Sequence, residues 1–253
     1  MAESYKKSST RDTFESLVVT VILAIFGTTF VLQAFKIPTG SMEETLLIGD
    51  HLLVNKFIFA QPPGGLARLL PTREVRRGDI LVFKFPPSEE QTEPGEHYVK
   101  RVVGLPGDRI HIFHRQVFVN GQPRYEPFVH HTFPDELRPG DDFPPPETEY
   151  LRGSTTAWSA EMSSDVRDGE IVVPPGKYFV MGDNREQSWD SRFWGFVPRG
   201  VVSGRPLLIY WSFETARDEY LHNTPGDRIS QIVDLIIHFP MKTRWRRTLK
   251  FVH

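Results

Sequence analysis

The strongest constraint in this sequence is a run of 19 uncharged residues, LVVTVILAIFGTTFVLQAF from Leu17 to Phe35, in a chain of 253 residues of which 25% are Asp, Glu, Lys or Arg. As a helix rising about 1.5 Å per residue, such a run spans roughly 28 Å, close to the hydrocarbon thickness of a bilayer. Its β-branched and Phe side chains line every face rather than one stripe, which disfavours a buried soluble helix. A cleavable secretory signal would have an apolar region of only about 7 to 15 residues ending in a small-residue cleavage site. Here Gln33, Ala34 and Phe35 are followed by Lys36, Ile37 and Pro38. The run is therefore expected to be one transmembrane helix over 17–35. Lys6, Lys7 and Arg11 precede it, and Lys36 is the one Lys or Arg in the next twenty residues. That asymmetry predicts a cytoplasmic N-terminus, 1–16, and an extracytoplasmic remainder.

The rest of the chain has the composition of a water-soluble protein, with 39% hydrophobic residues and a formal charge of −2. Collagen-like, wholly disordered and multi-span classes are excluded. No nucleic-acid partner is expected, because phosphate binding needs a basic excess or stripe. With no Cys, a disulfide framework, a thiolate zinc site and a cysteine nucleophile are excluded as well.

After the run, short alternating segments bounded by Gly, Pro and Asp read as strands over 51–59, 79–85, 98–103, 109–113, 116–119, 177–181 and 201–213. The expected fold class is mainly β: an antiparallel β domain over 36–110 and 171–225, interrupted by a loop-rich insertion over 111–170. Within that insertion, Asn120 to Gly153 holds seven Pro and three Gly in 34 residues, a composition suited to loops rather than core. The C-terminal part, 226–253, ends in MKTRWRRTLKFVH, which has five cations and no acid. Two readings of this tail stand side by side, contact with anionic lipid headgroups and a solvated terminus.

Three segments carry chemistry. In IPTGSMEETLLIGD, from Ile37 to Asp50, Pro38 imposes an extended entry and Gly40 permits a tight turn that displays Ser41. Thr-Gly-Ser alone is also an ordinary turn. In HYVKRVVGLPGDRI, from His97 to Ile110, strand alternation puts Lys100 on the face of Tyr98 and Val102, away from Arg101. Burial there would lower the lysine pKa, at roughly 4.6 kcal/mol against the charged form for a value near 7; a solvated edge lysine fits the same pattern. In MGDNREQSWDSRFWGFVP, from Met181 to Pro198, Asp183, Asn184, Arg185, Ser188, Asp190, Ser191 and Arg192 are framed by aromatic residues, as in a loop satisfied by its own ion pairs. Ser188 is the candidate to hydrogen-bond a neutral lysine. The pairs His111 and His114, and His130 and His131, fall short of three or four convergent ligands. No metal or cofactor is expected.

Together, and in this order behind an anchor, IPTGSM, RGDILVFKF, YVKRVVGLPGD and GDNREQSWDSRFWGFVP resemble the bacterial type I signal peptidases, membrane-bound serine proteases that remove signal peptides from exported preproteins. The resemblance implies Ser41 as nucleophile and Lys100 as general base, working through an acyl-enzyme. It further implies an oxyanion hole from the Ser41 N–H and the Thr39 hydroxyl, Ser188 orienting the lysine, and Asp190 with Arg192 as a supporting ion pair. Asp183 and Arg185 would be structural parts of the same loop. Ile37, Pro38, Leu46 and Val99 would line shallow pockets for small side chains, as in Ala-x-Ala cleavage sites. The implied partners are preprotein signal peptides and the lipid bilayer.

Three departures from the family pattern stand out. Glu44 replaces a frequent Pro, Glu186 and Gln187 replace Asp-Asn, and Thr39 replaces a frequent Ser. Two other readings remain at this point. One is an inactive membrane-anchored β-domain binding or assembly protein; the other is a Ser-Lys self-cleaving regulator, which would need a DNA-binding helix-turn-helix.

Overall fold

The computed structural model describes residues 9–60, 71–84, 97–146, 152–216 and 224–252. Helix α1 occupies Ser9–Phe26, a π-type turn follows at Gly27–Val31, and Leu32–Lys36 is strand β1. The expectation of a helix over 17–35 is corrected at both ends. The apolar helix begins earlier, and its last four expected residues are in a strand. The reason is tertiary: β1 pairs antiparallel with β2 (Asp50–Asn55), Leu32 opposite Asn55 and Lys36 opposite His51, which satisfies the backbone without a helix. Gly27, Thr28 and Thr29 also have weak helix propensity. Among the described residues, the segment long and apolar enough to cross a membrane is Thr10–Thr29, with mean hydropathy 1.4 and none of it buried in protein. Lys6 and Lys7 lie outside the described residues.

The following strands are β3 (Ile80–Lys84), β4 (His97–Gly104), β5 (Arg109–Phe113), β6 (Gln116–Val119) and β7 (Gln122–Pro123). Helix α2 (Thr156–Asp165) then leads to β8 (Val166–Arg167), β9 (Glu170–Val172) and β10 (Lys177–Met181). The chain ends with α3 (Ser191–Trp194), β11 (Val197–Pro198), β12 (Val202–Ser212), α4 (Pro225–Lys242) and β13 (Lys250–Phe251).

Among the described residues the strands make two sheets. One runs β1-β2-β12-β3-β4-β10-β11, with β13 also paired to β12; the other runs β7-β6-β5-β9-β8. All the named strand pairs are antiparallel. The second sheet is built from residues on both sides of the Pro-rich stretch, so the loops are carried on a small β framework. Helix α2 has no counterpart in the sequence reading: its apolar residues are few, and it is fixed by the Thr155 cap on Trp158 N–H and by burial of Trp158.

Two buried clusters flank β3 and β4. Ile37, Met42, Leu46, Leu52, Val54, Ile80, Val82, Ile209 and Val252 form one, and Val75, Leu81, Phe83, Val102, Tyr178, Val180, Trp194 and Val197 form the other. Alternation along β3 explains the split, since successive side chains leave opposite faces. The presence of Val252 in the first cluster corrects the picture of 226–253 as a free tail. Arg247 bonds Asp50 Oδ2 at 2.6 Å, Arg244 donates to the Phe213 carbonyl at 2.9 Å, and β13 pairs Leu208 with Phe251. A buried carboxylate at Asp50 draws these two cations inward, where composition alone gave them no partner.

Candidate active site

Ser41 sits on a turn between β1 and β2. The Ile37 N–H donates to the Asp50 carbonyl and the Gly49 N–H to the Ile37 carbonyl, at 2.9 and 3.0 Å, closing the loop at its base. Met42 and Leu46 anchor it from below, both fully buried. The turn is also held from the side. The Asn184 N–H donates to the Ser41 carbonyl at 3.1 Å. A methyl group placed on Gly182 would lie 2.3 Å from Ser188 Oγ and 2.4 Å from the Ser41 carbonyl oxygen, so a residue without a side chain is required where these two loops touch.

Lys100 lies in the middle of β4 and is 3% exposed. Its amine is pushed from 10.5 down to about 8. Burial is the largest cause; Asp190 opposes it, Arg192 adds to it and Asp183 opposes it. Of the two sequence readings of this lysine, the buried one holds. The neighbouring Arg101 leaves toward Asp183, which accepts from its Nε at 2.8 Å and its Nη2 at 2.7 Å. Thr45 donates its hydroxyl to the same carboxylate. Asp183 therefore pairs across strands with Arg101, while Arg185 pairs with Glu126 of the insertion at 2.9 Å.

A cavity of about 210 Å³ brings together Ile37, Pro38, Thr39, Ser41 and Met42 on one side and His97, Tyr98, Val99 and Lys100 on the other, with Gln187 and Trp189 completing it. Ser41, Lys100, Thr39, Ile37, Pro38 and Val99 thus share one cleft, as the sequence reading expects. Leu46 does not line it but lies behind the wall in the core.

Ser188, Asp190 and Arg192 form a buried layer outside the cavity lining. Ser188 Oγ donates to Asp190 Oδ2 at 2.7 Å and accepts from the Gly182 N–H at 3.1 Å. Asp190 takes Arg192 Nε on Oδ1 and Nη2 on Oδ2, each at 2.9 Å. Burial works against its ionisation, yet Arg192, Lys100 and Ser188 hold it below the ordinary carboxylate range. No hydrogen bond joins Lys100 to Ser41 or to Ser188 among the described residues, so the expected Ser188 contact is not made in this arrangement. A hydroxyl oxygen has two lone pairs, and Gly182 occupies one.

Sequence reasoning missed the wall residues His97, Tyr98, Gln187 and Trp189, although each adjoins a motif residue. It also missed how the insertion grips the site. The His130 N–H donates to the Asp183 carbonyl and the Arg185 N–H to the His130 carbonyl. Thr132 Oγ1 bonds the Asn184 amide oxygen at 3.0 Å, and Glu186 takes the His131 ring at 2.7 Å and the Thr132 N–H at 3.0 Å. His130 and His131 therefore belong to a clasp on the third motif.

A hydroxyl and a desolvated amine thus share one narrow cleft of a β scaffold, and the chain has relatives of established family. The family described as signal peptidase, peptidase S26, matches residues 10–211. The chain is 34% identical over 197 residues to the Probable signal peptidase I-2 of Synechocystis sp., covering 78% of this chain and 71% of that protein. It is 33% identical over 208 residues to Signal peptidase I of Pseudomonas fluorescens, covering 77% and 70%. For Signal peptidase I of Aquifex aeolicus the identity is 32% over 227 residues, covering 78% and 82%. The chain belongs to the signal peptidase family, peptidase S26, whose members are serine peptidases.

Proposed function

We propose that this chain is a membrane-anchored endopeptidase that cuts signal peptides from exported preproteins after small residues, with Ser41 as nucleophile and Lys100 as general base. The observation that carries the reading is the shared cleft: Ser41 and Lys100 line one cavity, and the lysine is held near 8 by burial.

In the proposed reaction the substrate lies extended between 37–39 and 97–99, with small side chains against Ile37, Pro38 and Val99. Neutral Lys100 takes the Ser41 Oγ proton as Oγ attacks the scissile carbonyl. The Ser41 N–H, which meets no acceptor among the described residues, and the Thr39 hydroxyl receive the developing oxyanion. Protonated Lys100 then gives its proton to the leaving amine, and the mature protein departs. Water, activated by Lys100, opens the ester and frees the signal peptide. Ser188 offers its remaining lone pair to the lysine ammonium, and Asp190 with Arg192 fixes Ser188.

Anchoring by α1, with the N-terminus in the cytoplasm and the catalytic part outside, brings Ser41 close to the membrane surface, where a signal peptide ends. The test is incubation of a preprotein bearing an Ala-x-Ala site with wild type, Ser41→Ala and Lys100→Met. Both variants are expected to lose processing; undiminished cleavage by either would overturn the dyad, and no cleavage by the wild type would leave the binding-protein alternative. Protease protection in intact cells and spheroplasts tests the topology.

A further inference from the structure

Helix α4 presents an apolar stripe to the outside. Its positions 233, 236, 237, 240 and 241 follow the spacing of one helical stripe. They are Val233, Ile236, Ile237, Pro240 and Met241. All five are exposed, Met241 at 80% and Ile236 at 71%. The side toward the protein is mixed: Ser230, Gln231, Asp234, Leu235 and Lys242 line a cavity of about 710 Å³ against Lys36, His51 and Trp211, and Phe239 stacks on Trp211. Asp234 accepts Lys242 Nζ on both oxygens at 2.8 Å and the His238 ring at 2.8 Å. A helix on a water-exposed surface buries its apolar stripe; this one presents it. The stripe continues through Trp245, Leu249 and Phe251, all more than half exposed. The family match ends at residue 211, so α4 lies beyond it.

Three features of the molecule identify what covers the stripe. The chain already carries an apolar segment suited to hydrocarbon, α1, which passes through a single π turn into β1, the edge strand of the sheet. The cavity under α4 is lined by Lys36 at the far end of that same strand, which puts α4 against the edge strand that continues directly from α1. The stripe is flanked by exposed Arg246 and Lys250 in an acid-free stretch, 243–253, and by Trp245. Cations and Trp beside an apolar helical face are the composition of an interfacial helix.

We infer that α4 lies in the plane of the membrane interface, with Val233, Ile236, Ile237, Met241 and Trp245 at the acyl boundary and Arg246 and Lys250 on anionic headgroups. It forms a second attachment that fixes the orientation of the catalytic cleft above the bilayer. The inference rests on α1 being the anchor. Because the chain contains no Cys, the test uses the full chain with single nitroxide-labelled cysteines at Ile237, Met241, Ser230, Ser163 and Ile22. Each is reconstituted in vesicles of phosphatidylcholine with and without phosphatidylglycerol.

Probes at Ile237 and Met241 are expected to meet oxygen more than a water-soluble nickel chelate, and those at Ser230 and Ser163 the reverse. Ile237 as open to the chelate as Ser163, with Ile22 shielded, would overturn the interfacial helix alone; Ile22 open to the chelate would overturn the anchor too. Spin–spin broadening between copies at Ile237 would make the stripe a dimer contact and overturn the inference. Arg246→Ser and Lys250→Ser should each weaken docking about fivefold on phosphatidylglycerol vesicles; no change would overturn the headgroup contacts. Retained cleavage of a soluble peptide in detergent shows that the labelled chains are folded.

Discussion

The backbone N–H of Asn184 donates to the carbonyl oxygen of Ser41 at 3.1 Å, so the loop bearing Asp190 and Arg192 holds the serine turn by a main-chain contact. Asn184 is in turn bridged to His130 and bonded to Thr132. The insertion therefore steadies the Ser41 turn from a distance, and changes in the insertion or in the Asn184 loop reach Ser41 through its backbone.

Gly182→Ala places a methyl group against the Ser41 carbonyl and Ser188 Oγ. The carbonyl is main chain and cannot swing aside, so the serine turn shifts. The expected loss in kcat/KM is about 10²-fold, with a fall in stability of about 1–3 kcal/mol from overpacking. Cleavage kinetics and thermal unfolding of the purified variant check both.

Activity should rise with pH through the Lys100 value of about 8. A general base must be neutral, and below that value the amine is protonated. The kcat/KM profile of a peptide substrate is expected to gain about tenfold per pH unit on the acid limb and to level off above about 8. A limb centred near an ordinary histidine value would assign the base elsewhere.

The same amine makes stability depend on pH. Folded Lys100 releases its proton near 8 whereas an unfolded lysine keeps it to about 10.5. Between those values the unfolded chain binds more protons, so stability rises with pH; below about 8 the buried ammonium costs its full amount. Lys100→Met is expected to stabilise the protein at neutral pH by up to roughly 3 kcal/mol. That gain should vanish above about pH 10.5. Denaturant unfolding at three pH values measures it.

Arg101 and Asp183 form a bidentate pair whose side chains are 5% and 1% exposed. Arg101→Met strands a buried carboxylate and is expected to cost about 3–5 kcal/mol, while Arg101→Met with Asp183→Leu together costs much less than the sum of the single changes. A double-mutant cycle on unfolding free energy reads the coupling.

Where local pattern decides structure, the sequence was legible. Strands β5, β6 and β10 follow directly from alternation between turn residues, and the Thr-Gly-Ser turn and the Lys100 strand stand where the motifs imply. Composition failed where a partner decides. Leu32–Phe35 belongs to the same uncharged run as the helix before it, and only pairing with β2 makes it a strand. Arg244 and Arg247 read as surface cations until Asp50 is seen beneath them. Leu46 reads as a pocket wall and is core, because the turn carrying Ser41 needs an anchor below it. The Asp183 partner was out of reach because Arg101 is 82 residues away.

The sequence by itself determined the elements and the chemistry: an apolar span, β strands, a displayed serine, a lysine on a strand and a self-satisfied polar loop. These follow from periodicity, backbone preference and side-chain type, which act over a few residues. The tertiary structure alone decided that Lys100 is dry enough to titrate near 8, that the insertion clasps the Asp190 loop, and that α4 turns its apolar stripe outward. Each of those depends on which distant groups exclude water from, or place charge beside, a given side chain, and that is a property of the packed chain.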